Sequence, residues 1–249
     1  TVTYQWQEST NGGGTWTNIT NGGIYSNATT ASLTITGVTA GMNNYLYRCT
    51  VSGNCPSINS SSASLTVNTA PGITAQPVAS AVICAGQNTS FTVGASGTAL
   101  TYQWQLSTDG GVTYNNLANG GVYSNVTTAT MNITGAIAGM NTYRYRCVVG
   151  GTCTPGATSS AAALTVNTPV SVSANPANSL VCENSNTSFS VTAAGTSPTY
   201  QWQVSTNGGA TFTDISGATG STLNLLNVTS GMNSNQYHVL ISSSCNSLT

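Results

Sequence analysis

The segment Tyr102-Gln103-Trp104-Gln105-Leu106-Ser107 decides how this chain is read, because it returns at Tyr4 to Ser9 and at Tyr200 to Ser205. Trp6, Trp104 and Trp202 stand 98 residues apart at each step. Cys49 and Cys147, Cys55 and Cys153, Gly41 and Gly139, and Cys84 and Cys182 keep the same 98-residue spacing. A period of that length is too long for a solenoid rung and fits a whole two-sheet sandwich of about 100 residues. Each repeat is therefore expected to be a domain, with a partial repeat at 1–69, a complete one at 70–168 and a third at 169–249.

Around the tryptophan segment of repeat two, short alternating runs rich in Thr, Val, Tyr and Ile are separated by Gly, Asn and Pro. They predict strands over Gly72 to Val78, Thr89 to Ala95, Leu100 to Ser107, Val112 to Leu117, Ala129 to Thr134, Thr142 to Val149 and Ala161 to Val166. No run has helical apolar spacing over three turns, so the class is all-β. Side chains alternate across a strand. Tyr102 and Trp104 then share one face, with Gln103 and Gln105 on the other. Tyr143, Tyr145 and Cys147 point inward and leave Arg144 and Arg146 outside, while Phe91 and Val93 face inward on the second strand. This is an immunoglobulin-like core, centred on Trp6, Trp104 and Trp202 in the three copies. Gly139-Met140-Asn141 leading to Tyr145, two residues before Cys147, resembles the tyrosine corner of that fold, in which the phenol closes the turn between two strands. Tyr47 and Tyr237 take the same place.

Composition narrows the partners. Charged residues make up 3% of the 249, none is Lys, and the net charge is −1, whereas an ordinary domain is about 25% charged. Without a basic cluster the electrostatic term that dominates nucleic-acid and anionic-membrane binding is missing. No apolar run approaches the roughly 20 residues of a membrane span, and no charged-then-apolar signal opens the chain. Any export signal or anchor is expected outside these residues.

Seven cysteines in such a chain suggest an oxidising compartment. Repeat three carries two, Cys182 and Cys245, and has Val239 where Cys147 stands, so Cys147 is dispensable. The positions that recur together are Cys84 with Cys153 and Cys182 with Cys245, spanning 69 and 63 residues. The reading favours these two disulfides, each stabilising by roughly 4 kcal/mol on the chain-entropy account. Cys49 and Cys147 become small buried apolar groups, and Cys55 is expected to pair upstream of Thr1. An ordinary inter-sheet bridge between Cys84 and Cys147 stays open as the alternative. Zinc is not expected, since closely paired cysteines are absent and there is one His.

Val2 to Ser9 already corresponds to a third strand, and the chain stops just after Cys245 without a counterpart of Ser159 to Val166. The residues read as a window on a longer array, with strand donation between neighbouring molecules as the sharper alternative. The linkers Asn68 to Gly72 and Asn167 to Val170 are short and contain Pro71 or Pro169, which predicts a rod-like array.

No catalytic constellation is visible in four acids and one His spread over three repeats, and no cofactor is expected. His238 replaces Arg146 on an outward position and reads as a solvated surface group. Ser107 to Tyr114 resembles the Asp-box pattern S-x-D-x-G-x-T-W, repeated from Ser9 to Trp16 and from Ser205 to Phe212. In sialidase-like propellers such boxes are hairpin turns away from the active site, so the resemblance implies a turn and no activity. Asp109 is Asn11 and Asn207 in the other copies, which argues against a calcium site. Eight N-x-S/T triplets begin at Asn18, Asn27, Asn59, Asn88, Asn125, Asn132, Asn186 and Asn227, and most are expected by chance in this composition. The outward face bearing Gln103, Gln105, Arg144 and Arg146 is the one candidate for binding a sugar or a partner protein, against the plainer reading of a solvated sheet face.

YQWQxSTxGGxT at Tyr102 to Thr113, the Gly139-Met140-Asn141 turn, YRYRC at Tyr143 to Cys147 and SSAAALTV at Ser159 to Val166 together resemble the tandem immunoglobulin-like repeats of very large secreted and surface proteins of Bacteroidota-type bacteria. That resemblance implies export by the type IX route and service as a stalk, adhesin or filament; the fold itself hosts many functions. The preferred expectation is a non-enzymatic structural subunit of an extracellular fibre or cell-surface filament that associates with copies of itself. The alternative is an adhesin or stalk whose repeats bind carbohydrate or protein, or space a terminal binding or catalytic domain.

Overall fold

The computed structural model describes residues 1–249. It is all-β, and its only helical turns are the 3-10 segments Ala40–Met42, Ala138–Met140 and Ser230–Met232, each leading into a tyrosine strand. Contacts divide the chain into two compact units, one made of Thr1–Thr74, Ala95–Thr101 and Val149–Ala157, the other of Ala75–Gly94, Tyr102–Val148 and Thr158–Thr249. In the first, Thr3–Ser9 pairs antiparallel with Leu46–Ser52 and sets Trp6 opposite Cys49. Ile19, Ala28 and Tyr47 are buried there, with Trp6, Tyr25, Leu33, Ile35 and Leu65 half-buried around them.

In the second unit, Thr89–Thr92 pairs with Thr130–Ile133, which also holds Tyr123–Ser124. The sheet that includes the tryptophan strand runs in the order Asn115–Asn116, Thr101–Ser107, Arg144–Gly150, Ala162–Asn167, Ser80–Cys84. Alternation along each strand turns Phe91, Met131 and Ile133 toward Trp104, Tyr145 and Leu164, and all six are fully buried. Phe91 stacks on Tyr145 with ring centroids 5.2 Å apart. A buried indole N–H needs an acceptor. Trp104 donates to the Thr128 carbonyl at 3.0 Å, Trp202 to Gly220 at 3.0 Å and Trp6 to Thr30 at 3.0 Å. Repeat three repeats the central pairing, with Thr199–Ser205 against Gln236–Ser242 and Trp202 opposite Val239.

Two strand predictions change. Val112 to Leu117 shortens to Asn115–Asn116, because the preceding residues close a turn instead of pairing. Thr89 to Ala95 divides after Thr92, and Gly94–Ser96 pairs with Gly72–Ala75. Ser80–Cys84, which was not predicted, pairs in parallel with Ala162–Asn167. Its run Ala81-Val82-Ile83 does not alternate with polar residues, so the period-two signal is missing.

The disulfide expectation is corrected. Cys84 bonds to Cys245, so neither Cys84–Cys153 nor Cys182–Cys245 forms, and Cys55, Cys153 and Cys182 are free thiols. Cys84 ends the strand that lies beside Asn167. The loop carrying Cys245 folds back on that same residue, where Asn167 Nδ2 donates to Ser244 Oγ at 3.1 Å. The position types that recur together do pair, but between successive repeats rather than within one. The Cys84–Cys147 alternative also falls, since Cys147 is buried as a free thiol.

The tyrosine-corner expectation is corrected as well. The hydroxyls of Tyr145 and Tyr123 meet at 3.1 Å, and those of Tyr47 and Tyr25 at 3.2 Å. The phenol therefore pairs with a tyrosine from the facing sheet rather than with a turn carbonyl. In repeat three Phe189 stacks on Tyr237 with centroids 5.1 Å apart.

Burial pushes the Cys147 thiol up to about 11. At pH 8 almost none of it is thiolate, and it has no access to solvent. In the folded protein, maleimide is expected to modify the exposed Cys55 and Cys182 and to leave Cys147 untouched, as peptide mass spectrometry would record. Rapid labelling of Cys147 would mean the core opens on that timescale.

Candidate interaction face

The Asp-box-like segment builds the same closed turn in each repeat. Ser107 Oγ donates to Asp109 Oδ1 at 2.7 Å, the Gly111 amide donates to Ser107 Oγ at 2.8 Å, and the Thr113 amide donates to Asp109 Oδ1 at 3.0 Å. The Thr113 hydroxyl also donates to Asp109 Oδ2. Ser9 and Asn11 close on Gly13 and Thr15 in the same way, as do Ser205 and Asn207 on Gly209 and Thr211. Gly110 and Gly111 have φ of 77° and 101°, the left-handed region where a Cβ is strained. Both carboxylate oxygens of Asp109 thus serve the turn.

Those bonds, led by the Thr113 hydroxyl, hold the Asp109 carboxyl below the usual carboxylate range. A depressed folded value means the contribution is present above the unfolded value, about 3.9, and is lost as pH falls through the lower folded one. The Thr113 amide shift is expected to be flat at neutral pH and to move only in strong acid. Asp109→Asn should leave the thermal unfolding midpoint essentially unchanged, since Asn makes the same turn in the other repeats. A clear drop in the midpoint would mean the charge does more than close the turn.

On the outward face the sequence-selected residues divide by partner. Gln103 Nε2 donates to the Trp104 and Leu117 carbonyls, both at 2.8 Å. Gln5 and Gln201 make the same two bonds in their repeats, so this glutamine ties its strand to the following loop. Gln105 and Arg146 come together: Arg146 Nε donates to Gln105 Oε1 at 2.8 Å, and Gln105 Nε2 donates to Asn116 Oδ1 at 2.9 Å. The Arg146 guanidinium lies 3.9 Å from the Tyr114 ring centroid, a cation–π contact. Arg144 is not drawn into this cluster and stays exposed.

Repeat one sets Arg48 over Trp16 at 4.1 Å, with Arg48 Nε donating to Gln7 Oε1 and Gln7 Nε2 donating to Asn18 Oδ1. In repeat three the His238 ring stacks on Phe212 at 3.8 Å, its Nε2 meets Gln203 Oε1 at 2.5 Å, and Gln203 Nε2 donates to Asp214 Oδ1 at 2.6 Å. Each repeat therefore carries an aromatic ring, a cation or imidazole, a glutamine and an Asn or Asp in one ladder. Sequence reading singled out Gln105 and Arg146 but missed Tyr114 and Asn116. The recurrence of Trp16, Tyr114 and Phe212, and of Asn18, Asn116 and Asp214, two residues further on, was the available signal. The ladder is side-chain scaffolding across a sheet face, and it leaves few groups free to engage a ligand.

No helix is long and apolar enough to cross a membrane. No curated protein sequence matches the chain. Among solved structures it is similar to an I-band fragment of titin, at 18% identity and a TM-score of 0.67, covering 99% of this chain and 84% of the other. It is also similar to the N-terminal four Ig domains of a Dscam1 isoform, at 16% identity and a TM-score of 0.51, covering 98% of this chain and 62% of that one. These likenesses establish tandem immunoglobulin-like domains as the fold. A family described as a domain of unknown function, DUF8696, matches residues 1–69 and 171–249, more than half of the chain, and the chain belongs to that family.

Proposed function

We propose that the chain is a structural segment of an extracellular fibre or cell-surface filament, built from end-to-end immunoglobulin-like domains and without catalytic activity. The observation that carries this reading is the repeated outer-face ladder, in which the polar groups that could have formed a ligand site bond to one another in every repeat. The linkers are treated alike. The Thr69 amide donates to Thr98 Oγ1 at 2.9 Å, and the Thr168 amide donates to Thr196 Oγ1 at 2.8 Å. Such reuse suits a spacer whose value lies in regularity. A charged fraction of 3% without Lys lacks the usual protection against edge-to-edge association, which favours lateral contact between copies. The disulfide fits an oxidising exterior, in keeping with the resemblance to bacterial surface proteins.

The adhesin reading would place its ligand at the exposed Arg144. Leu46 and Gln236 occupy that position in the other repeats, so no binding group recurs there. Electron microscopy of native, unconcentrated material tests the proposal. Regular filaments with an axial repeat of a few domains, each roughly 35 to 45 Å long, are expected. Isolated flexible strings of beads would overturn the fibre and leave a stalk.

A further inference from the structure

Cys84 and Cys245 are 161 residues apart along the chain, yet their Cα atoms lie 5.7 Å apart and a disulfide joins them. Residues 85–244 therefore form a closed loop that leaves the junction between repeats two and three and returns to it. The loop contains the fully buried Trp104 and Trp202 and the linker Asn167 to Val170. A bridge inside repeat two, such as Cys84–Cys153, would have left that linker and all of repeat three outside.

Hydrogen bonds at the junction keep the two sulfurs together. Ser80–Cys84 runs beside Ala162–Asn167 and ends with Cys84 opposite Asn167. The Ala85 amide donates to the Asn167 carbonyl at 2.8 Å, and Asn167 Nδ2 donates to Ser244 Oγ at 3.1 Å. The Val170 amide donates to Asn246 Oδ1 at 2.6 Å, and Asn246 Nδ2 donates back to the Val170 carbonyl at 3.0 Å. The residues on both sides of Cys245 are thus tied to the linker, and the linker is tied to the residue after Cys84.

We propose that the Cys84–Cys245 bond is a tension bypass that shields repeats two and three from pull along the chain. Load arriving from the N-terminal side reaches Cys84 through Ser80–Cys84, crosses the S–S bond and leaves through Asn246. Residues 85–244 lie outside that covalent path. While the bond holds, unfolding them adds no length between Cys84 and Cys245, so tension does no work in unfolding them. The loaded strand yields little, because a strand already rises about 3.3 Å per residue against a limit of about 3.6 Å. Its neighbour Ala162–Asn167 belongs to the shielded loop. The bypass does not depend on the fibre reading, since a stalk and a filament both transmit tension.

Single-molecule stretching between peptide tags fused before Thr1 and after Thr249 tests the path. The variant Cys84→Ser with Cys245→Ser is expected to reach a contour length roughly 530 to 570 Å greater than the parent chain, the extended span of 161 residues less its folded 5.7 Å. Final length is read whether or not the variant is folded before the pull. Cys153→Ser with Cys182→Ser should leave the length unchanged. Equal lengths for parent and first variant, or lengthening in the second, would overturn the bypass. Shielding has its own readout. With Cys49→Ser, Cys55→Ser, Cys153→Ser and Cys182→Ser in place, the buried Cys147 is the one free thiol of the bridged chain. At a load that unfolds the unbridged variant on this background and lets a fluorescent maleimide label it, the bridged chain is expected to stay unlabelled. Labelling of Cys147 in the loaded, bridged chain would overturn the shielding.

Discussion

Trp104→Ala is expected to lower the stability of the unit around it by about 4 kcal/mol, read as a shifted midpoint in guanidinium chloride. Trp104 is fully buried against Phe91. Its loss would open a cavity that backbone pairing on both sides keeps from collapsing, and would leave the Thr128 carbonyl without its donor. Trp202→Ala should cost a similar amount, because Trp202 is equally buried and donates to Gly220. A loss under about 1 kcal/mol at Trp104 would mean that the residue contributes through strand propensity and not through packing.

Replacing Cys84 and Cys245 together by Ser is expected to have an effect of comparable size. The bond closes a sequence separation of 161 residues. On the chain-entropy account this restricts the unfolded chain by up to about 5 kcal/mol. Cys153→Ser with Cys182→Ser should change stability little, because both thiols are free. Non-reducing peptide mapping gives the decisive control, with a Cys84–Cys245 linked pair expected. Linked pairs Cys84–Cys153 and Cys182–Cys245 would restore pairing inside each repeat and remove the basis for the larger effect.

The two corrections to the sequence reading share a cause. Comparison of the repeats shows which cysteine positions travel together, and that relation is satisfied equally by pairing within a repeat or between neighbours. Only the approach of the Cys245 loop to Asn167 separates the two. The spacing of Tyr145 to Cys147 matches a known corner, yet the hydroxyl partner of Tyr145, Tyr123, comes from a strand in the facing sheet. Spacing along a chain does not say which hydroxyl will meet which. Gln103 and Gln105 show the same limit. Both were placed outside by alternation, and the structure shows that one ties its strand to a loop while the other joins an aromatic and cationic ladder.

By itself the sequence determined the period, the all-β class, the inward phase of Trp104, Tyr145 and Cys147 and the glycine-closed turns. Each of these follows from local rules, namely side-chain alternation along a strand and the backbone freedom of Gly110 and Gly111. The tertiary structure alone decided that Cys84 bonds to Cys245 and that Arg146 rests on Tyr114. Those outcomes depend on which segments lie side by side after folding. That adjacency is set by the packing of two sheets and by loops returning to a linker, over sequence distances that no local pattern records.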